Sequence, residues 1–318
     1  VVTTDLPNQP TPDVIPSGRT GRPDKGTRVK DSRGYRSFRL VNGALLIVLA
    51  ALVLYPFVNI VAQAFSSESY ITTGQVNLVP RGFNLITFQV VLGDDMFWRN
   101  YRNTVEYTVV ATAIAMALTT TYAYALSKAH LKGRKFFIGI AVATMFFNGG
   151  LIPNYILISH LGFRNTLWAI VLPNAISVFN LLVMKSFFEN FPSELEEAAS
   201  IDGMSTYGVF FKVVLPLSKA VVATMLLFYA VSFWNGWFGA FLYMDDPNLY
   251  PVTVYLRNLM AGVSGGTSIQ GGGTDNLTQI GANVQAVTML LTVLPIICLY
   301  PFIQRYFVSG VMLGAVKQ

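Results

Sequence analysis

An all-α membrane protein with six transmembrane helices and both termini in the cytoplasm is the architecture that the sequence predicts. Three observations predict it. Hydrophobic residues make up 53% of the 318 positions and charged residues 12%, about half the charged share that lets a soluble domain face water. Six apolar runs, near 40–64, 104–127, 136–158, 166–188, 220–243 and 284–304, each approach the roughly 20 residues that cross a hydrocarbon core. With the N-terminus placed inside, the 22 Lys and Arg divide 17 to the inner segments and 5 to the outer ones, as the positive-inside rule requires.

Residues 1–39 are rich in Pro, Gly, Asp, Lys and Arg and lack a hydrophobic period. They read as a mostly disordered, basic cytoplasmic tail. The run from Leu40 ends in Ala62-Gln63-Ala64, which has the small-residue form of a leader cleavage site. Its apolar length exceeds the about 7–15 residues of a leader's core, so it is expected to be a retained first span. Residues 40–318 then form one membrane domain. In the third run, Asn148-Gly149-Gly150 with Pro153 predicts a break, tolerated in a bilayer only where protein or water satisfies the freed backbone.

The net charge of +6 belongs to the tail and short loops, so nucleic acid is not an expected partner; membrane lipid is. Cys298 is alone, and His130 and His160 have no Cys or His at ligand spacing, so neither a disulfide nor a metal site is expected. The outer segments near 65–103 and 244–283 are long. The second is rich in glycine but has no lysine at phosphate-loop spacing, which argues against a nucleotide role.

The inner loop between the fourth and fifth runs, 192–219, carries the strongest signal. Ser193 with Glu196 three residues later has the form of a capping box, Gly203 that of a left-handed helix stop, and Ser205 that of a second cap. A short helix, a tight turn and a second helix running to Pro216 are expected. Ala198 and Ala199 would let a partner's backbone approach closely, and Glu197 offers a carboxylate to a basic residue across such a joint.

This loop resembles the EAA loop of ABC-importer permeases. The family pattern is E-A-A-x-x-x-G, nine residues, then I-x-L-P; here Glu197, Ala198, Ala199, Gly203, Leu215 and Pro216 match, with Val213 for isoleucine and Asp202 before the glycine. The end of the chain, Gln304 to Gly310 and Gly314 to Lys317, is similar to the tail of the smaller maltose-type permease subunit. Phe147 to Pro153 is similar to a subgroup that imports larger or uronic oligosaccharides.

The resemblance implies a type I ABC importer permease fold, and half of a translocation pathway for a sugar or oligosaccharide. Its implied setting is the bacterial inner membrane. The implied partners are a second permease subunit, two ATP-binding cassette subunits and an extracytoplasmic solute-binding protein. Glu197 would face an arginine of the ATPase, while Ala198, Ala199 and Gly203 seat the coupling helix. ATP and Mg would act in those partner subunits; no cofactor is expected in this chain, and no enzymatic activity.

Polar and aromatic residues inside the runs are candidates for the pathway: Asn148, Asn180, Trp234 and Asn235 first, then Asn154, Asn174, Tyr229 and Ser232. Amides suit sugar hydroxyls and rings suit the apolar sugar face, although intramembrane Asn and Ser also join helices. The resemblance places the sugar contacts mainly in the other permease. An ion-coupled secondary transporter is the alternative class. Such proteins usually carry ionisable residues deep in the membrane, and no run here has a charge near its middle.

Overall fold

The computed structural model describes residues 33–265 and 282–315, all-helical and without a β-strand among the described residues. The basic tail 1–32, the glycine-rich stretch 266–281 and residues 316–318 lie outside the described residues, and so do the side chains of the C-terminal motif. The chain divides into two units at Leu54. The first contributes the start of α1 (Arg33–Ala64), a helix that takes in residues 33–39 of the segment read as tail. All packing below lies within 55–318.

Two short helices, α2 (Glu68–Thr72) and α3 (Ile86–Leu92), lead into α4 (Asp95–Ser127), the centre of the fold. A bent pair follows, α5 (Arg134–Phe146) and α6 (Leu151–His160), then α7 (Trp168–Val171) and α8 (Val178–Glu189). Next come α9 (Ser193–Ile201), α10 (Thr206–Val209) and α11 (Leu215–Leu217), with a π turn over Phe210–Val214 between the last two. The chain closes with α12 (Lys219–Asn235), α13 (Phe238–Tyr243), α14 (Val252–Gly265) and α15 (Ala282–Ala315).

α4 is central because its sequence leaves room there. Ala111, Ala115, Thr119 and Ala123, spaced four apart on one face, are all fully buried. Small residues at that spacing let neighbouring helices approach closely within a membrane. α8 and α12 pack onto that stripe through Leu181, Met184 and Met225.

Three helices, over Ser37–Ala64, Asp95–Ser127 and Ala282–Leu299, are long and apolar enough to cross a membrane, and up to six spans result if each of three bent pairs counts as one. α5 and α6 meet at 114°, where Asn148-Gly149-Gly150 was expected to break the run. Gly150 adopts a φ of +87° there, a backbone that side-chain-bearing residues avoid. The α7–α8 junction bends by 50°, and a bend of 83° separates Thr206–Leu217 from Lys219–Trp234.

Candidate functional site

The loop 192–219 folds as helix, turn and helix. α9 ends in a Schellman arrangement: Gly203 N–H donates to Ser200 O at 3.0 Å and Met204 N–H to Ala199 O at 3.1 Å. That closure requires a left-handed residue, and Gly203 has φ +82°. Ser205 caps α10, its Oγ accepting Gly208 N–H at 3.2 Å.

The capping box at the start of α9 does not form. Pro192 is the capping residue and Ser193 already lies inside the helix, with no side-chain cap bond. Glu196 turns away instead. Its Oε1 accepts from Lys128 Nζ at 2.6 Å, its Oε2 pairs with the same ammonium, and Tyr124 Oη donates to Oε2 at 3.3 Å. A full positive charge offers a carboxylate more than a backbone N–H does. Lys128 Nζ also sits 4.3 Å from the Tyr124 ring centroid, and that ring lies 4.7 Å from Phe210 of the π turn.

α9 thus has two faces. Glu196 and the buried Ala199 face the bundle, the latter in one cluster with Val209, Phe210 and Val214. Glu197, Ala198, Asp202 and Gly203 are exposed, and Glu197 forms no ion pair among the described residues. Ile201 is 86% exposed, Tyr207 79% and Phe211 56%, apolar side chains on the same loop as the exposed Glu197 and Asp202. Leu215 packs against the core, and Pro216 is exposed at the 83° bend.

The pathway candidates separate. Asn180 lines a cavity of about 450 Å³ between α8 and α12, together with Asn174, Tyr229 and Ser232. Asn148 does not reach it: its Oδ1 accepts Gly150 N–H at 3.0 Å and Asn154 Nδ2 at 3.3 Å, holding the α5–α6 break. Trp234 is buried, donating from Nε1 to Thr292 O at 3.1 Å and standing edge-on to Tyr101. Asn235 Nδ2 returns to Val231 O of its own helix.

Ser177, Phe228 and Phe233, outside that candidate set, also line the cavity. Ser177 caps α8 by accepting Asn180 N–H at 3.4 Å, a Ser-x-x-Asn spacing readable as a helix start. Tyr229 Oη accepts Ser177 N–H at 2.9 Å and bonds Thr119 Oγ1 at 2.7 Å, so one hydroxyl ties α4, α12 and the α7–α8 break together.

At the other end of α4 a polar stripe binds the segment before α14. Asn103 Nδ2 donates to Asn248 O at 2.7 Å, Tyr107 Oη to Leu249 O at 2.8 Å, and Val252 N–H to Thr104 Oγ1 at 2.8 Å. Tyr255 Oη donates to Asp94 Oδ2 at 2.6 Å. Burial, then that bond, then the Asp94 charge push the Tyr255 hydroxyl well above the usual tyrosine range.

Residues 136–312 match the family model for the binding-protein-dependent transport system inner membrane component. The chain belongs to this family. Both the loop 192–219 and the cavity lie inside the matched region. The chain is 36% identical over 285 residues, 89% of its own length and 99% of the relative's, to the polygalacturonan/rhamnogalacturonan transport system permease protein YtcP of Bacillus subtilis (strain 168). It is 37% identical over 287 residues, 90% and 97% of the two lengths, to protein LplC of the same organism. A solved bacterial ABC transporter involved in the import of the acidic polysaccharide alginate contains a chain that superposes with a TM-score of 0.79 at 32% identity, covering 87% of this chain and 99% of that one. This permease therefore shares its fold with an ABC importer subunit.

Proposed function

We propose that this permease forms half of the pathway by which an ATP-driven importer carries a sugar oligomer, uronate-containing ones included, across the bacterial inner membrane. A second permease subunit completes the pathway, a solute-binding protein delivers the oligosaccharide from outside, and two ATP-binding cassette subunits supply the work. ATP and Mg act in those subunits. Both termini lie on the cytoplasmic side and six spans cross the bilayer, each bent pair serving as one.

The division of α9 into a latched face and a free face carries this reading. A carboxylate with no ion pair among the described residues, on a loop that also leaves Ile201 and Tyr207 more than three-quarters exposed, suits a joint with another protein, since exposed apolar side chains rimmed by charge mark interaction surfaces. Glu197 would pair with a cation of the ATPase while those apolar side chains are covered. α9 is short, stopped by Gly203 and fastened to α4 through Glu196, so a displacement of the ATPase moves helix and span as one body. The saccharide class is supported by the resemblance of the loop and by the transport roles of the similar proteins.

The test is reconstitution of the complete transporter in proteoliposomes, with uptake of labelled oligogalacturonates and alginate oligosaccharides measured against ATP hydrolysed. Glu197→Lys and Gly203→Pro are expected to insert but to lose uptake per ATP. Undiminished uptake in both variants overturns the coupling role. Absence of any saccharide uptake by the unsubstituted complex overturns the substrate class.

A further inference from the structure

The cavity between α8 and α12 has a mixed wall: Asn174, Ser177, Asn180 and Ser232 supply polar groups, and Phe228 and Phe233 supply rings. Part of this polar lining is already engaged. Asn174 Nδ2 donates to Ile170 O at 3.2 Å, Ser177 Oγ accepts from the Asn180 backbone, and the Tyr229 hydroxyl is taken by Thr119 and Ser177. The Asn180 carboxamide is different. The residue is 6% exposed, and its side chain has no hydrogen-bond partner among the described residues.

A carboxamide brings two donors and an acceptor with two lone pairs. Asn180 lines the cavity, so the group that answers its carboxamide enters there, and lipid cannot be that group. The group that answers Asn180 must both donate and accept, and it must fit a space of about 450 Å³, within the range of small-molecule sites. No Lys, Arg, Asp or Glu lines the wall, so the ligand is uncharged where it touches. It also meets aromatic rings. A hydroxylated ring with an apolar C–H face has all these properties.

We infer that this cavity is a saccharide subsite on this permease, in which the Asn180 carboxamide exchanges hydrogen bonds with pyranose hydroxyls, Ser232 adds a further polar contact, and Phe228 and Phe233 flank the sugar's C–H face. The inference rests on the reading of the chain as a saccharide permease and extends it. The subsite reads the ring rather than a carboxylate, so uronates and neutral sugars are held alike. It also gives this subunit a direct hold on the cargo, where the family resemblance puts such contacts mainly in the second permease.

The experiment uses the assembled transporter with its ATPase, second permease and binding protein, carrying Cys298→Ser and Ser232→Cys. Oligogalacturonate is expected to slow maleimide labelling of the introduced thiol by about fivefold or more, the order set by one or two hydrogen bonds, whereas sucrose that is not imported leaves it unchanged. In a separate variant, Asn180→Ala lowers oligogalacturonate uptake per ATP by a similar factor, and Asn180→Gln recovers part of it. Equal labelling with and without a saccharide that the complex imports overturns the subsite. So does Asn180→Ala with unaltered uptake, or a loss traced to failed assembly with the second permease. Failure of the unsubstituted complex to import any saccharide sinks the underlying transport reading instead, which keeps the two failures distinct.

Discussion

Lys128, the residue just past the end of α4, holds both carboxylate oxygens of Glu196 on α9. The side chains are 21% and 18% exposed, so water screens the pair only in part. Three acidic residues stand within one turn of α9, and this contact selects among them: Glu196 fixes the helix to the bundle while Glu194 and Glu197 remain outward.

Glu196→Gln is therefore expected to loosen α9 from α4 at a cost of about 1.5–3 kcal/mol, the range for hydrogen bonds to charged groups. A lower thermal midpoint of the purified permease would register it. Lys128→Glu combined with Glu196→Lys should restore most of the loss, because the pair keeps its opposite charges. A double variant no better than the singles would show that the charges do not act as a pair.

Gly203 gives a local test of the same helix. No heavy atom lies within 4 Å of a Cβ built there, so any penalty for a side chain is conformational. Gly203→Ala should destabilise the loop by about 1 kcal/mol through its left-handed φ. Gly203→Asn should cost less, because asparagine tolerates that region. Hydrogen exchange confined to 193–205 would separate the two, and equal protection in both would refute the argument.

What could be read in advance follows the range of the interactions. Gly203, Ser205 and the Asn148-Gly149-Gly150 break act within a few residues of themselves, so local chemistry announces them. Glu196 looks like half of a capping box until a lysine 68 positions away competes for it. Trp234 has the chemistry of a sugar platform, yet Thr292 O takes its Nε1–H and Tyr101 packs against it in a T-shaped contact. The 83° bend at Ser218 and the π turn before it carry no distinctive residues beyond Pro216. The cavity needs α8 and α12 side by side, a pairing set by the small-residue stripe of α4 and by no single motif.

Tyr229 tests whether that pairing depends on a polar tie. Its hydroxyl accepts from Ser177 N–H and bonds Thr119 in a buried setting. Tyr229→Phe leaves the ring in place but orphans the Ser177 N–H at the α7–α8 break. A loss of about 1–3 kcal/mol is expected, with faster backbone exchange at 175–178. Tyr229→Phe with wild-type stability and exchange would mean that water or another group replaces the hydroxyl without cost.

Tyr255 and Asp94 make a prediction in pH. The folded state raises the Tyr255 pKa above the ordinary tyrosine value of 10.0, through burial first and then through the Asp94 bond and charge. A raised pKa means that the native protein holds the proton more tightly than the unfolded chain does. The stabilisation is therefore complete below about pH 10 and is lost as pH rises beyond it. Tyr250 shifts the same way, through burial and then through Asp245 and Asp246. The thermal midpoint should accordingly be flat through neutral pH and fall on the alkaline side, with a shallower fall in Tyr255→Phe because Tyr250 still titrates. An alkaline slope identical in the variant would show that the Tyr255 proton is not held by the fold.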